Sequence, residues 1–177
     1  MRAVVGLGNP GPDYAATRHN AGFLLADAVA ERWQLPPFRR AERARATEGT
    51  AGGTPVRILK PTTFMNRSGA ALASLRADPA FDAARDLLIL VDDFQIPLGT
   101  FRFRPDGSAG GHNGLKSIEA ALQSQQYARL RIGVGPLPEG TGDWADYVLA
   151  PFEPAQVEEL QSLMPSMIEA VEKWLRS

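Results

Sequence analysis

The side chains of this chain that could do chemistry are two histidines, one carboxylate and three amides. His19 and His112 each stand at the predicted start of a helix, after a loop that contains glycine. Asp92 follows the most apolar run of the chain, and the three amides, which lie at similar turns, are Asn9, Asn66 and Asn113. An imidazole can take a proton from water near neutral pH, a carboxylate can orient it, and amide N–H groups can stabilise an oxyanion. This set predicts hydrolysis of an acyl bond by water, with no metal or other cofactor.

Each of these residues also has a purely structural interpretation. His19 can be an ordinary residue at a helix N-terminus, Asp92 can cap a turn, and the amides can be common helix-start residues. The catalytic interpretation rests on their joint placement at turns between strands and helices. Other catalytic classes find no support, because the chain lacks a Gly-x-Ser-x-Gly elbow and a P-loop. The histidines are 93 residues apart and form no HExxH pair, which argues against a zinc site.

The elements that must position these residues begin with the stretch from Val4 to Gly22. An apolar run, Ala3–Val5, predicts a buried strand, and a stiff Gly/Pro loop follows it. Helical periodicity starts at Asn20, the predicted N-cap, and ends near Leu35. The stretch therefore brings Asn9 and His19 to the carboxyl edge of a sheet, where open α/β sheets bind their ligands.

The rest of the chain alternates strands and helices. Leu87–Val91 has no alternation, so it predicts a central strand that is buried on both faces and ends at Asp92. Further strands are predicted at 56–59, antiparallel to a neighbour, and at 99–104 and 129–134; helices are predicted at 68–76, from 112 to about 124 and from 154 onward; residues 38–49 are predicted to be an irregular edge strand or a loop. The pattern predicts a single domain over residues 1–177, a three-layer α/β/α fold with a mixed, mostly parallel sheet.

Gly6-x-Gly8-x-x-Gly11 matches the dinucleotide-binding fingerprint as a pattern. In that fingerprint the last glycine opens a helix, whereas here Pro10 and Pro12 flank Gly11 and delay the helix. No acidic residue ends a second strand about 20 residues further on. A nucleotide-cofactor enzyme is therefore the weaker interpretation, and titration with NAD would test it.

Composition and charge limit the class of protein and the kind of partner. The chain has 177 residues, 44 % of them apolar, no cysteine and a net charge of −1. It has no secretory signal and no apolar run of membrane-spanning length, which favours a cytoplasmic protein. The charge is uneven, because residues 1–60 hold nine basic and five acidic side chains and residues 139–177 hold two and eight. A nearly neutral total can thus hide one basic face.

Read together, six motifs resemble the bacterial peptidyl-tRNA hydrolase family. They occur in the family's order over residues 4–135, and they are VGLGNPG (5–11), YAATRHNAG (14–22), KPTTFMN (60–66), DD followed by IPLG (92–99), GGHNGLK (110–116) and RLRIGVG (129–135). The resemblance implies hydrolysis of the ester that joins a peptide, or an N-blocked aminoacyl group, to the 3′ end of tRNA. The implied role is the recycling of peptidyl-tRNA released from ribosomes.

The resemblance also implies roles for single residues. His19 matches the catalytic base, and Asp92 matches the carboxylate that orients it. Asn9 matches the residue that distinguishes a blocked from a free aminoacyl group. Asn66 and Asn113 match amides that bind the peptide and the 3′-terminal nucleotide. Other residues placed with the substrate- or tRNA-binding group are Tyr14 and Phe64 as aromatic contacts, Met65 as the pocket floor, and His112.

Arg104 and Arg131 match a basic pair that clamps the 5′ phosphate of tRNA. Arginine stands at positions 102 and 104 where lysine is usual, which alters the geometry of the donors but not the charge. Val91 and Ala109 also depart from common family residues, without removing a catalytic group. The expected enzyme is a monomer whose partner is the acceptor stem and 3′ CCA end of peptidyl-tRNA. The rival interpretation, an RNA-binding relative that has lost activity, would need His19 or Asp92 to be replaced.

Overall fold

A computed structural model of the chain describes residues 1–140 and 142–177. Within them, seven strands form one mixed sheet in the order β2–β3–β4–β1–β5–β7–β6. The strands are β1 (Arg2–Gly6), β2 (Arg39–Ala41), β3 (Ala44–Ala51), β4 (Thr54–Pro61), β5 (Leu87–Pro97), β6 (Phe101–Arg104) and β7 (Ala128–Gly135). The four strands β4, β1, β5 and β7 run parallel, whereas the β2–β3–β4 and β7–β6 pairings at the two edges are antiparallel.

The helices of the described residues lie on both faces of this sheet. They are α1 (Ala21–Arg32), α2 (Ala73–Arg76), α3 (Ala83–Asp86), α4 (Asn113–Leu122), α5 (Trp144–Val148) and α6 (Pro154–Leu175), with 3₁₀ segments at Arg18–Asn20 and Met65–Leu72. None of them is long and apolar enough to cross a lipid bilayer.

Alternation along β1 explains the layers. Val4 points into a core shared with α1 and α6, and Val5 points into a second core shared with α4 and the 3₁₀ segment that begins at Met65. Both cores are fully buried along β5, where Leu88 and Ile89 face opposite sides of the sheet. The predicted three-layer α/β/α fold with a mixed sheet and a buried interior β5 is therefore confirmed.

The glycines of the first loop serve close packing of α1. A Cβ atom on Gly6 would collide with the backbone of Gly22, and one on Gly22 would collide with the backbone oxygen of Leu90. Helix α1 begins at Ala21, ten residues after Gly11. Gly11 opens no helix, so this loop lacks the backbone N–H cradle of a dinucleotide site.

Three predicted elements differ from the structure. The segment predicted as helix 68–76 is a 3₁₀ helix until Leu72, and in it the Ser68 hydroxyl donates to the Met65 carbonyl oxygen (2.7 Å) and competes with helical pairing. Strand β5 does not end at Asp92 but continues to Pro97, because it keeps its parallel pairing with β7 through Asp93. The region 38–49 is not irregular: β2 and β3 form an antiparallel hairpin there.

Candidate active site

The loop after β1 is held by an amide pair that the sequence did not reveal. The Asn9 backbone N–H donates to Oδ1 of Asn20 (2.8 Å), and Nδ2 of Asn20 donates to the Asn9 carbonyl oxygen (2.9 Å). Asn20 is the N-cap residue of α1, as predicted, but its side chain makes no capping bond. Asn20 is buried, and it fixes the Asn9 backbone instead.

The Asn9 side chain joins this loop to the next one. Its Oδ1 accepts the backbone N–H of Met65 (2.8 Å), so Nδ2 is the donor that remains available to the cleft lined by Asn9. The preceding residue, Phe64, has φ 65° and ψ 159°, a conformation that is nearly restricted to glycine. A bond across two loops therefore holds a strained aromatic residue at the site.

His19 and Asp92 meet although 72 residues separate them in the chain. Nδ1 of His19 lies 2.8 Å from Oδ2 of Asp92, and both residues are buried. Because an ionised carboxylate only accepts hydrogen bonds, Nδ1 carries the proton and Nε2 keeps a lone pair. His19 also lines the cleft, so this lone pair belongs to the nitrogen that is available to a substrate or a water molecule.

His112 binds the other oxygen of the same carboxylate. Its Nε2 lies 2.8 Å from Oδ1 of Asp92. Its Nδ1 accepts the backbone N–H groups of Gly114 (3.0 Å) and Leu115 (3.3 Å), so His112 is the side-chain cap of α4. These two donors fix the tautomer, because the proton of a neutral ring must then be on Nε2. Asp92 thus accepts two imidazole N–H groups.

The two histidines decide the ionisation of Asp92. Burial raises the pKa of this carboxyl, but the charges of His112 and His19 and their hydrogen bonds together outweigh burial and lower the pKa to about 2. Asp92 is therefore an ionised carboxylate at neutral pH. A permanent acceptor keeps the tautomer of His19 constant.

The same three residues are also a possible ligand set for a metal ion. One potential ligand atom from each of His19, Asp92 and His112 lies within 4.8 Å of the others. The two histidines, 93 residues apart in the sequence, lie side by side in the structure, with ring centroids 5.1 Å apart. However, a metal would need the lone pair of His112 Nε2, and the cap of α4 places a proton on that nitrogen. In this geometry each oxygen of Asp92 accepts an imidazole N–H group and not a metal ion.

A cleft of about 320 Å³ opens beside His19. It collects most of the predicted site residues, and its lining is Asn9, Tyr14, His19, Phe64, Met65, Asn66, Asn113, Trp144, Ala145, Val148 and Leu149. The rings of Tyr14 and Phe64 meet edge to face with centroids 6.3 Å apart. Phe64 is half exposed, whereas Met65 is buried beneath the cleft. Asp92 and His112 line an adjoining recess together with Arg131.

Arg18 connects the wall of this cleft to the segment that carries His19. It is buried, its Nη1 donates to the carbonyl oxygen of Tyr147 (3.0 Å), and its Nη2 donates to Oε1 of Gln156 (2.9 Å). Its guanidinium also stacks on the Tyr147 ring at 4.1 Å. The residue before His19 therefore anchors α5, which supplies Trp144 and Val148 to the cleft.

Comparison with known proteins decides the family. The model of the peptidyl-tRNA hydrolase family matches residues 3–177. The chain belongs to this family. It is 45 % identical over 177 residues to a peptidyl-tRNA hydrolase of Gemmatimonas aurantiaca, covering 99 % of this chain and 93 % of that protein. It is 46 % identical over 173 residues to one from a Synechococcus strain, covering 97 % and 76 %.

Solved structures agree with this assignment. The crystal structure of peptidyl-tRNA hydrolase from Acinetobacter baumannii superposes with a TM-score of 0.90 at 30 % identity, over 99 % of this chain and 89 % of that one. The predictions of the family, of the fold and of an enzyme that hydrolyses peptidyl-tRNA are confirmed.

The arginines predicted to clamp a phosphate lie on the β6–β7 edge of this hydrolase. Arg131 lies directly opposite Arg102 in the antiparallel pairing, whereas Arg104 lies opposite Arg129. Arg104 is exposed and Arg131 is partly buried, with its Nη1 3.4 Å from Asp93. Arg102 is therefore nearer in register to Arg131 than the predicted partner Arg104. Arg129 is fully buried and donates to backbone carbonyl oxygens, so it supports the strand from within.

Sequence reasoning missed Asn20 and Arg18 as functional positions. Both flank His19 in the tripeptide Arg18-His19-Asn20. The available signal was that a buried 3₁₀ turn of three polar residues needs partners for every polar group. Those partners lie in distant segments of the chain, namely the loop after β1, strand β5, and helices α5 and α6, so local sequence does not indicate their identity.

Proposed function

We propose that His19 is the general base that activates water for cleavage of the ester in peptidyl-tRNA, and that Asp92 orients it. The 2.8 Å contact between His19 Nδ1 and Asp92 Oδ2 is the observation that carries this proposal. Water attacks the ester carbonyl carbon and gives a proton to Nε2 of His19. The tetrahedral intermediate collapses as the ribose oxygen leaves and takes that proton, so the products are a free peptide acid and tRNA with an intact 3′ end. A positioned base of this kind contributes about 10²–10⁴ in rate.

Asn9 is assigned to the reacting carbonyl group. Its Oδ1 is occupied by the Met65 N–H and its backbone is fixed by Asn20, which leaves Nδ2 as a pre-oriented donor. A donor aimed at a developing oxyanion stabilises the transition state by about 3–4 kcal/mol. The fixed orientation of Asn9 also supports its predicted role in distinguishing blocked from free aminoacyl groups.

The exposed part of the cleft is assigned to the acceptor end of tRNA and to the peptide. Asn66 and Asn113 are exposed, and their amides make no hydrogen bond to another described residue, so they are available to a substrate. Tyr14 and Phe64 offer faces to unpaired bases, each worth about 1–3 kcal/mol when a base stacks. Met65 supplies the apolar floor.

The basic β6–β7 edge is assigned to the 5′ phosphate. Arg131 is partly satisfied by Asp93 and by the Ser108 carbonyl oxygen (2.8 Å), which orients its guanidinium. The Arg104 side chain has no hydrogen-bond or ion-pair partner within residues 1–140 and 142–177, and Arg102 opposite Arg131 adds a third positive charge. We further propose that the enzyme acts as a monomer, as one domain over residues 1–177, in the cytoplasm where its tRNA substrate is used.

Hydrolysis of an N-blocked aminoacyl-tRNA by wild-type enzyme and by His19→Ala tests the base assignment. The variant is expected to lose about 10²–10⁴ in kcat while its thermal unfolding stays cooperative. Near-normal turnover would exclude His19 as the base. Running the assay with and without EDTA tests whether His19, Asp92 and His112 bind a metal ion. Activity that is lost in EDTA and restored by added metal would contradict the assignment of an imidazole N–H group to each oxygen of Asp92.

A further inference from the structure

The hairpin formed by β2 and β3 is the most basic exposed segment that the mechanism does not use. Residues 38–45 contain four arginines and one glutamate. All four arginines are exposed, and they are Arg39, Arg40, Arg43 and Arg45. Over residues 1–140 and 142–177, none of the four has a carboxylate oxygen within 4.0 Å. Their charge is therefore not neutralised within the described molecule.

The register of the hairpin brings like charges together. Arg40 lies directly opposite Arg45, and Arg45 lies directly opposite Lys60 on β4. Three cations thus form a row across three adjacent strands, about 5 Å apart. Asp27 pairs with Lys60 at 2.5 Å, which leaves the two arginines to repel each other. Phe38 contacts two of these cations, since its carbonyl oxygen accepts from Arg45 (3.1 Å) and its ring lies 4.3 Å from Lys60 Nζ. Like charges directly opposite still destabilise a sheet, and Arg40 has no comparable contact among the described residues.

The hairpin turn lies beside the active-site loop. The Arg43 carbonyl oxygen accepts the backbone N–H of Thr62 (3.0 Å), and the segment from Phe64 to Asn66 that lines the cleft follows Thr62. In the sheet order, β2 and β3 lie on one side of the cleft strands β1 and β5, and the basic β6–β7 edge lies on the other. Two clusters of cations therefore flank the cleft.

We propose that the β2–β3 hairpin binds the phosphate backbone of the tRNA part of the substrate, on the side of the cleft opposite Arg102, Arg104 and Arg131. This inference rests on the proposed function. The peptide part of the substrate varies in sequence and charge, so a fixed set of cations cannot match it. The RNA phosphates are the same in every substrate, and arginine presents a fork that fits them.

A structural role for these charges makes a different prediction. Strand β2 is an edge strand, and charged side chains on edges prevent sheets of separate molecules from pairing. That role is met by charges of either sign, whereas phosphate binding requires positive charge. A charge reversal therefore separates the two roles.

Arg45→Glu is the decisive variant. It places a carboxylate between Arg40 and Lys60, so cross-strand repulsion becomes attraction and the melting temperature is expected to rise. The KM for full-length peptidyl-tRNA is expected to rise about tenfold, equivalent to 1.4 kcal/mol, while kcat is retained. The slope of log(kcat/KM) against log salt is expected to fall by about one. A loss of binding together with a gain in stability cannot come from misfolding.

Arg176→Glu is the matched control. It makes the same change in net charge at an exposed position near the C-terminal end of α6, beside Trp174, whose carbonyl oxygen binds Arg2 at the start of β1. It is expected to leave KM and the salt slope unchanged. Direct titration of each protein with uncharged tRNA gives the affinity independently of turnover, so failure of the proposed hydrolysis would not obscure this result.

Three results would overturn the inference. An unchanged KM and tRNA affinity in Arg45→Glu would leave only edge protection. An equal rise in KM for a minimal substrate that ends at the 3′ nucleotides would place the effect in the cleft. An unchanged affinity for tRNA with a weakened affinity for an unrelated RNA duplex would show that the hairpin serves another RNA.

Discussion

The shared carboxylate makes Asp92→Asn the most informative single substitution. An asparagine amide has one accepting oxygen and one donating nitrogen, whereas Asp92 accepts from both His19 and His112. His112 cannot change its tautomer, because backbone N–H groups occupy its Nδ1. It therefore takes the amide oxygen, and the amide N–H group faces Nδ1 of His19. His19 must then carry its proton on Nε2, where the base is needed.

The expected loss follows from this forced tautomer. In serine proteases, a carboxylate-to-amide change that gives the wrong histidine tautomer lowers kcat by about 10⁴, or about 5 kcal/mol. We expect a loss of the same order for Asp92→Asn, measured as kcat/KM for release of an N-blocked amino acid from tRNA. Asp93→Asn is the matched control, because Asp93 contacts Arg131 and not an imidazole. Its loss is expected to stay below about tenfold, because the ion pair is a single 3.4 Å contact and Arg131 keeps its hydrogen bond to the Ser108 carbonyl oxygen.

A second substitution tests the cause rather than the size of the effect. In Asp92→Asn/His112→Ala the amide is free to turn its oxygen toward His19, so the double variant is expected to recover about tenfold or more over Asp92→Asn alone. Coupling energies between residues in one network reach about 0.5–3 kcal/mol, which allows such a recovery. If the double variant is no more active than Asp92→Asn, the tautomer argument is refuted.

Three further predictions concern the loops around this centre. Asn20→Asp keeps the acceptor for the Asn9 N–H but loses the donor to the Asn9 carbonyl oxygen. Because a buried unsatisfied group costs about 1–3 kcal/mol, both kcat and the melting temperature should fall. An unchanged kcat would show that Asn20 does not support catalysis. Phe64→Gly removes the aromatic ring from the cleft, so KM should rise. It also relieves a positive φ that costs about 1–3 kcal/mol, so the melting temperature should not fall. A clear fall in melting temperature would show that the packing of the ring outweighs the backbone strain. The pKa of Asp92 is lowered to about 2 in the folded protein, so ionised Asp92 stabilises the fold by about 2 kcal/mol above pH 4, and this stabilisation is lost as the pH falls toward 2. The free energy of unfolding of Asp92→Asn should therefore depend less on pH between about 4 and 2 than that of the wild type. The same pH dependence in both proteins would contradict the lowered pKa.

The architecture could be predicted because the pattern of apolar residues indicates which segments form strands and which of their faces are buried. The uninterrupted apolar run Leu87–Val91 indicated burial on both faces, and the alternation in Phe101–Arg104 indicated a half-buried strand; both are strands in the sheet. The extension of β5 to Pro97 was not predictable from periodicity. It depends on a buried carboxylate at Asp92, which is tolerated in a strand only because two histidines from other segments satisfy it.

At the site, the contacts between polar side chains of distant segments could be predicted only in part. His19 and Asp92 meet at 2.8 Å, as expected from the sequence, although Asp92 lies within β5 and not at its end. The sequence did not reveal that Asn20 pairs with the Asn9 backbone, because a residue before a helix is more often a cap. It also did not reveal the positive φ of Phe64, since nothing local favours that conformation in an aromatic residue.

The geometry implies that the first turn of α4 takes part in orienting His19, the proposed base. The backbone N–H groups of Gly114 and Leu115 set the tautomer of His112, whose Nε2 proton occupies one oxygen of Asp92. With both oxygens engaged, the carboxylate cannot rotate, and its second oxygen stays in the position that receives Nδ1–H of His19. The helix terminus therefore orients His112, His112 orients Asp92, and Asp92 orients His19, through contacts that all form within the protein. Since Asn113 at the same helix start faces the cleft, a shift of α4 would change substrate contact and base orientation together.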